Sequence, residues 1–370
     1  MERITTKRPV TLPTAIYAFV IISALIGAAF LTVALRSAVD RMVQGAMAEA
    51  ITVRSDGLMK AFTRELSDEW LRMEALSARL SSENPEALRP VMDLMASEGD
   101  KISWVGFAAM DGTVTVASNG MLEGANVSER PWFRRGLEGY FAGDVHEAVL
   151  LAKLLDPEGE NPPRFIDYAL PVIDAEGRYI GVLGLHINFD WAAGLVTDLA
   201  KALDIDALLV SQDGTIIVST LDADPAKPTI APFRQAALAA TRAASTQWPD
   251  GKTYFSVVLP VEASGQVPNF GWRLISRVDQ TAFRTIDADL PSLLVPFILG
   301  LVAALSIATV IFVRVFAAPF GAAARNAAAI AGGEDAFPFE SQRTQELSQL
   351  SAAIARLQGQ VRARLSGGPR

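Results

Sequence analysis

Between residues 128 and 148 the chain reads SERPWFRRGLEGYFAGDVHEA, and this stretch gathers most of the side chains that could do chemistry. It holds Arg130 with Trp132 and Phe133, then Asp144, His146 and Glu147, and it contains one of only two histidines in 370 residues; the other is His186. Arginine beside aromatic rings is a common pairing in ligand pockets and in packed interiors alike, so a pocket and a scaffold are both open. Asp144, His146, Glu147 and His186 can be drawn as a metal or acid–base cluster. However, His146 and Glu147 are neighbours, not the i, i+4 pair that puts two ligands on one helical face, and no H-E-x-x-H occurs. Neither a metal nor a cofactor is expected. Asp144 is expected to cap a short turn, with Val149, Leu150, Leu151, Leu154 and Leu155 packing beneath a pocket. Tyr168 either points its hydroxyl into that pocket or packs in the core.

The chain carrying this stretch has a net charge of -8 with its basic residues scattered, which gives no electrostatic reason to expect a nucleic-acid partner. With no cysteine it forms no disulfide and offers no thiol nucleophile. Residues 12–35 and 290–313 each run without a charge for about two dozen positions, enough at ~1.5 Å per residue to cross a ~30 Å hydrocarbon layer. The first run is longer than the ~7–15 residues of a signal-peptide core, and no clear A-x-A site follows it. Arg3, Lys7 and Arg8 precede the first run, and Arg314 and Arg325 follow the second. Both termini (1–11 and 314 onward) are therefore expected inside, with 36–289 outside.

Within that outer segment, residues 36–82 lack proline and repeat Met59, Phe62, Leu66, Trp70, Met73 and Leu76 at spacings of three and four, which predicts a long amphipathic helix. Asn84 and Pro85 supply a capping residue and a first-turn proline for a second helix to about Ser97. Strand patterning follows and occurs twice. WVGFAAMDGTVTVAS (104–118) and IDALLVSQDGTIIVST (205–220) share an Asp-Gly hairpin turn. YALPVIDAEGRYIGVLGLHI (168–187) and YFSVVLPVEASGQVPNFGWRLISRV (254–278) share a Pro-Val, a Gly-containing turn and a closing strand. Two similar α/β modules in tandem are expected, about 100–200 and 201–280.

The order of anchor, long helix, tandem PAS-like modules, VSERPWF and PVIDAEGRYIGVLG resembles a bacterial transmembrane receptor with a double Cache sensor domain, over roughly residues 40–285. The resemblance implies an α+β membrane receptor in a bacterial inner membrane, with the sensor domain periplasmic. It also implies a homodimer, with a small-molecule ligand in the membrane-distal module. Residues 314–365, before the tail 366–370, are similar to a HAMP linker. They have Pro319 near the membrane, a Gly-containing connector with Phe337 and Phe339 expected to tuck inward, and Glu346 opening a second helix. Leu347, Leu350, Ile354, Leu357 and Val361 there step as a coiled-coil seam. Only SGGPR follows Leu365, so the output is expected either on a cytoplasmic signalling protein of cyclase, kinase or chemotaxis type or on a module missing from this chain.

In amino-acid-binding members of that class the matching arginine and tryptophan touch the ligand, which assigns ligand roles to Arg130, Trp132 and Phe133. Phe133 stands where a tyrosine is usual, and His186 where an aspartate usually holds the ligand's ammonium. A neutral imidazole is a poor partner for a cation, so the expected ligand is an organic anion or a heterocycle. Two other readings stand beside the receptor. One is a membrane-anchored periplasmic hydrolase using His146, Glu147 and His186. The other is a periplasmic protein-interaction module in a dimeric membrane complex.

Overall fold

The computed structural model describes residues 10–97, 100–147, 151, 154–155, 162–221, 243–263, 265–279, 285–334, 336–337 and 339–366. The chain forms two units, Met42–Phe283 and the remainder, Met1–Arg41 with Arg284–Arg370. One helix, α1 (Leu12–Leu80), runs for 69 residues, and from Met47 onward it buries a stripe that includes Ile51, Leu58, Phe62, Leu66, Trp70, Met73 and Leu76. The spacing of three, four and seven keeps these side chains on one side of the helix. Asn84 then accepts a hydrogen bond from the Glu86 amide at 3.2 Å. The expected second helix opens there as a tight 3-10 turn, Pro85–Leu88, before α2 (Arg89–Ser97) continues it.

Strands β1 (Ile102–Ala109), β2 (Val114–Ala117), β3 (Phe141–Glu147), β4 (Arg164–Ile173) and β5 (Tyr179–Asn188) make one antiparallel sheet in the order β2-β1-β5-β4-β3. Helix α3 (Pro131–Glu138) precedes β3, and α4 (Phe189–Ala202) leads to the second sheet. That sheet contains β6 (Asp206–Val210), β7 (Ile216–Ser219), β8 (Ala244–Gln247), β9 (Thr253–Pro260) and β10 (Arg273–Asp279), in the order β7-β6-β10-β9-β8. The repeat seen in the residue pattern is thus a repeat of topology. Gly112 and Gly214 sit at matching turns with φ of 84° and 86°, a left-handed conformation that glycine adopts without steric cost. Asp111 and Asp213 close those turns by accepting from the amides of Thr113 and Thr215.

Each strand of the first sheet divides its side chains between two faces. Val105, Phe107, Ile166, Tyr168, Leu170, Leu183, Leu185 and Ile187 face a continuous core that includes the α1 stripe and, from the second module, Leu209, Val257, Trp272 and Leu274. Trp104, Ala108, Phe165, Ala169 and Val182 face a separate core with Trp132 and Phe133 of α3. At the head of β1, Lys101 donates to Glu65 at 2.7 Å and to Glu69 at 2.9 Å, where Glu69 is 1% exposed. Burial works against the lysine charge, but the two carboxylates outweigh it and hold its pKa above the ordinary value.

Asp144 caps no turn. It lies in β3 beside a bulge: Gly143 pairs with Asp167 and His146 with Phe165, so three residue steps on β3 span two on β4. Its carboxylate accepts from the indole of Trp272 at 2.8 Å and from the hydroxyl of Ser211, both in the second module. Trp272 is fully buried, stacked on Phe270 at 4.5 Å and on Phe62 of α1 at 6.4 Å.

In the other unit, α5 (Thr285–Phe312) passes through a π-helical turn, Val313–Ala317, into α6 (Ala318–Ala331), which has Pro319 in its first turn. Two helical stretches, in Leu12–Leu80 and Val295–Ala331, are long and apolar enough to cross a membrane. Arg343 donates to the carbonyls of Arg314 and Val315 in the π turn, at 3.5 Å and 3.3 Å. Helix α7 (Gln345–Ser366) begins with Glu346 in its first turn and the Leu347 amide on the Thr344 hydroxyl. Leu347 and Ile354 pack with Ala323 and Ile330 of α6, and Phe339 joins them. Phe337 does not tuck inward; it is 92% exposed, while its carbonyl accepts from Asn326. The remaining seam residues Leu350, Leu357 and Val361 are also exposed.

Two outcomes follow for the unit Met42–Phe283. Phe62→Ala is expected to lower stability by about 3–5 kcal/mol, the usual cost of emptying a buried aromatic site, read by denaturant unfolding of the purified chain. Asp144→Ala is expected to cost about 1.5–3 kcal/mol, because it strands the buried Trp272 donor. Most of that cost should vanish in a Trp272→Phe background, and a cycle showing no coupling would refute the contact's role.

Candidate functional site

The bulge in β3 decides what reaches the site. In regular alternation Gly143 and His146 would fall on opposite faces; with the extra residue both share the face of Asp167 and Phe165. Asp144 and Val145 consequently turn to the core behind the sheet. His146 therefore stands on the α3 side of the sheet, where β5 places His186 opposite Asp167 on β4 and opposite Trp104 on β1.

The two histidines of the chain meet at one carboxylate. His186 Nδ1 lies 2.5 Å from Asp167 Oδ1, and His146 Nε2 lies 3.4 Å from Asp167 Oδ2. Asp167 and His186 are each only 3% exposed. Burial of a carboxylate is costly without a cation or donors; His186 supplies a donor to one oxygen, and His146 Nε2 faces the other. His186 is further enclosed by aromatic rings: Trp104 is stacked on it at 5.0 Å, while Trp132 and Phe165 stand at 6.0 Å and 5.8 Å. Trp132 fits because Gly184 lies under it; a Cβ there would come within 2.7 Å of the indole. The Trp104 indole is itself anchored on the Met121 carbonyl at 3.0 Å.

Above the pair is a small cavity of about 50 Å³, lined by Arg130, Trp132, His146, Glu147, Leu151 and His186 among others. Arg130 is the N-cap of α3, and Pro131 pre-sets the helix's first turn. Among the described residues the Arg130 guanidinium has no carboxylate partner. Glu147 is exposed at the rim.

Several expectations shift. Tyr168 does not enter the cavity: one position from Asp167 on β4, it points to the opposite face, packed against Trp70 at 5.2 Å and Phe270 at 5.2 Å. Its hydroxyl is buried without a hydrogen-bond partner, and desolvation pushes its pKa far up. Phe133 is core rather than cavity wall, 2% exposed and edge-on to Trp132 at 5.9 Å. Asp144 belongs to the contact between the modules. Leu151 packs beneath the cavity as expected, whereas Leu154 and Leu155 are exposed, and Val149 and Leu150 lie outside the described residues. Asp167 was missed by sequence reasoning. Its signal was available: it is the one charged residue in the otherwise uncharged run FIDYALPVI, 165–173.

A second depression, about 420 Å³ and more open, is lined by Lys201, Asp206, Arg277 and Asp279 beside β6 and β10. Its size suits a small molecule. Arg277, however, is committed to Asp206 at 2.8 Å and to the faces of Trp248 and Tyr254 at 4.3 Å and 3.8 Å. The smaller cavity has the convergent polar groups.

No protein-family model and no curated protein matches the chain. Among solved structures it is similar to the ligand-binding domain of the Campylobacter jejuni chemoreceptor Tlp3 in complex with L-norvaline, at 13% identity, covering 67% of this chain and 94% of that one with a TM-score of 0.48. It is also similar to the ligand-binding domains of two Pseudomonas aeruginosa PAO1 amino acid chemoreceptors. PctC in complex with GABA matches at 16% identity, 64% and 99% coverage and a TM-score of 0.45. PctB in complex with L-Arg matches at 18% identity, 62% and 93% coverage and a TM-score of 0.45.

Proposed function

We propose that the protein is a transmembrane sensory receptor of the double Cache type, whose first α/β module binds a small extracytoplasmic ligand and passes the change across the membrane. The observation that carries this reading is the cavity itself. It sets the Arg130 guanidinium, two imidazoles and a tryptophan wall together in one of two modules of identical strand order. Both modules pack on a helix whose N-terminal part is apolar enough to span a bilayer.

Charge decides the ligand class. A guanidinium that has no carboxylate partner among the described residues favours an anion, by paired N–H donors that match a carboxylate or phosphate edge. The volume, well below the ~300–1,000 Å³ of drug-sized pockets, limits the ligand to a small one or requires the α3 wall to open. Relay to the second module has a short route. His146 on the cavity and Asp144 on Trp272 and Ser211 are two residues apart on opposite faces of one bulged strand. A ligand that repositions His146 shifts Asp144 with it, provided it binds the two arrangements with different affinity. Beyond the second membrane helix, α6 and α7 form the HAMP-like pair of a homodimer. Their exposed Leu350, Leu357 and Val361 are the positions that a second copy would cover. The output is delivered to a cytoplasmic signalling partner.

The hydrolase reading fits the geometry less well, because His186 lies beneath indole rings and Glu147 stands away at the rim. Thermal-shift screening of the purified full chain against small organic anions tests the receptor. A ligand at ~100 times its Kd should add about 2.7 kcal/mol of stability, and Arg130→Ala should weaken it at least ~10-fold. No stabilisation across a broad library, or a hit indifferent to Arg130→Ala, would overturn the assignment.

A further inference from the structure

We propose that His146, Asp167 and His186 bind a divalent transition-metal ion of the zinc class at the floor of this cavity. The inference rests on reading the cavity as a ligand site and names what that floor recognises. The argument begins with donors and acceptors. His146 Nδ1 lies 3.0 Å from the Asp144 carbonyl, which can only accept, so the proton of a neutral ring is on Nδ1. Nε2 then presents a lone pair to Asp167 Oδ2 at 3.4 Å. In a neutral ring two acceptors thus face each other, and either a proton on Nε2 or a metal ion held between them reconciles them.

The arrangement has the marks of a metal site. One potential ligand atom from each of His146, Asp167 and His186 lies within 4.8 Å of the others. A tetrahedron with bonds of ~2.0–2.1 Å has edges of about 3.3 Å, so the set needs only side-chain adjustment. Metal-bound histidines characteristically give their other ring N–H to a backbone carbonyl, which fixes tautomer and orientation; His146 already does so. Two imidazoles and a carboxylate suit zinc, cobalt, nickel or copper better than calcium or magnesium. On binding, His186 changes tautomer: the Nδ1 proton shared with Asp167 is given up to solvent and one is taken from solvent at Nε2, so the neutral ring ligates through Nδ1. Three protein ligands leave a fourth position, and the cavity wall holding Arg130 and Glu147 is what it faces.

Helix-spacing rules missed this set because the ligands come from three adjacent antiparallel strands, with β4 between β3 and β5. In such a sheet, residues 146, 167 and 186 become neighbours without any short sequence motif.

Zinc titration of the chelator-stripped full chain in detergent, against a competing chromophoric chelator, is the test. One tight zinc per chain is expected, weakened more than ~100-fold by Asp167→Asn and by His146→Gln, beyond the cost of merely losing a supporting contact. Cobalt should give visible bands of tetrahedral nitrogen–oxygen coordination that vanish in His146→Gln. The His146 side chain is 38% exposed, so this variant is expected to keep the fold, checked by its metal-free melting temperature. Wild-type zinc affinity no tighter than that of His146→Gln overturns the proposal. If zinc fails while an anion still binds through Arg130, the metal site falls and the receptor reading stands. If zinc binds but no Arg130-dependent ligand exists, the metal site stands and the role given to Arg130 falls.

Discussion

Both sheets depend on α1 for a surface on which to bury their apolar faces. An antiparallel sheet with one apolar face needs a partner layer, and here a single helical stripe from Met47 to Leu80 backs the first sheet and, through Phe62 and Trp272, meets the second. That shared layer is why the modules form one unit. It also explains the placement of Lys101, which ties the head of β1 at 2.9 Å to a glutamate that the helix buries and whose other cation, Arg72, stands at 3.9 Å.

With one face committed to α1, the strict alternation of the strands leaves the other face to α3 and the cavity. Phe165, Asp167 and Ala169 go one way, and Ile166, Tyr168 and Leu170 the other. Exchanging Asp167 and Tyr168 would require slipping the whole register. The bulge in β3 is the break in this alternation that matters for the cavity. It is where His146 gains the cavity and Asp144 reaches the second module. A local fault in pairing thereby sets the cavity contact and the inter-module contact within three residues.

Much of the architecture was legible before the coordinates. The helical spacing of α1, the Asn84 cap and the Asp-Gly hairpins are local signals, and the structure has each of them. The recurrence of strand pattern also anticipated two sheets of like topology. Side-chain direction was less legible. Tyr168 was left open between pocket and core and Asp144 was read as a turn cap, because direction along a strand follows pairing register, which residue type does not reveal. Phe337 was placed inward by analogy of position, and its side chain is exposed.

The sequence by itself determined the elements, because capping, turn chemistry and periodicity act over a few residues. It also determined that any histidine chemistry must use His146 and His186, since no others exist. Only the tertiary structure decided that both converge on Asp167. Strand pairing brings together residues 19 to 40 positions apart, and the one-residue bulge that aims His146 is set by how β3 packs against β4 and the second module.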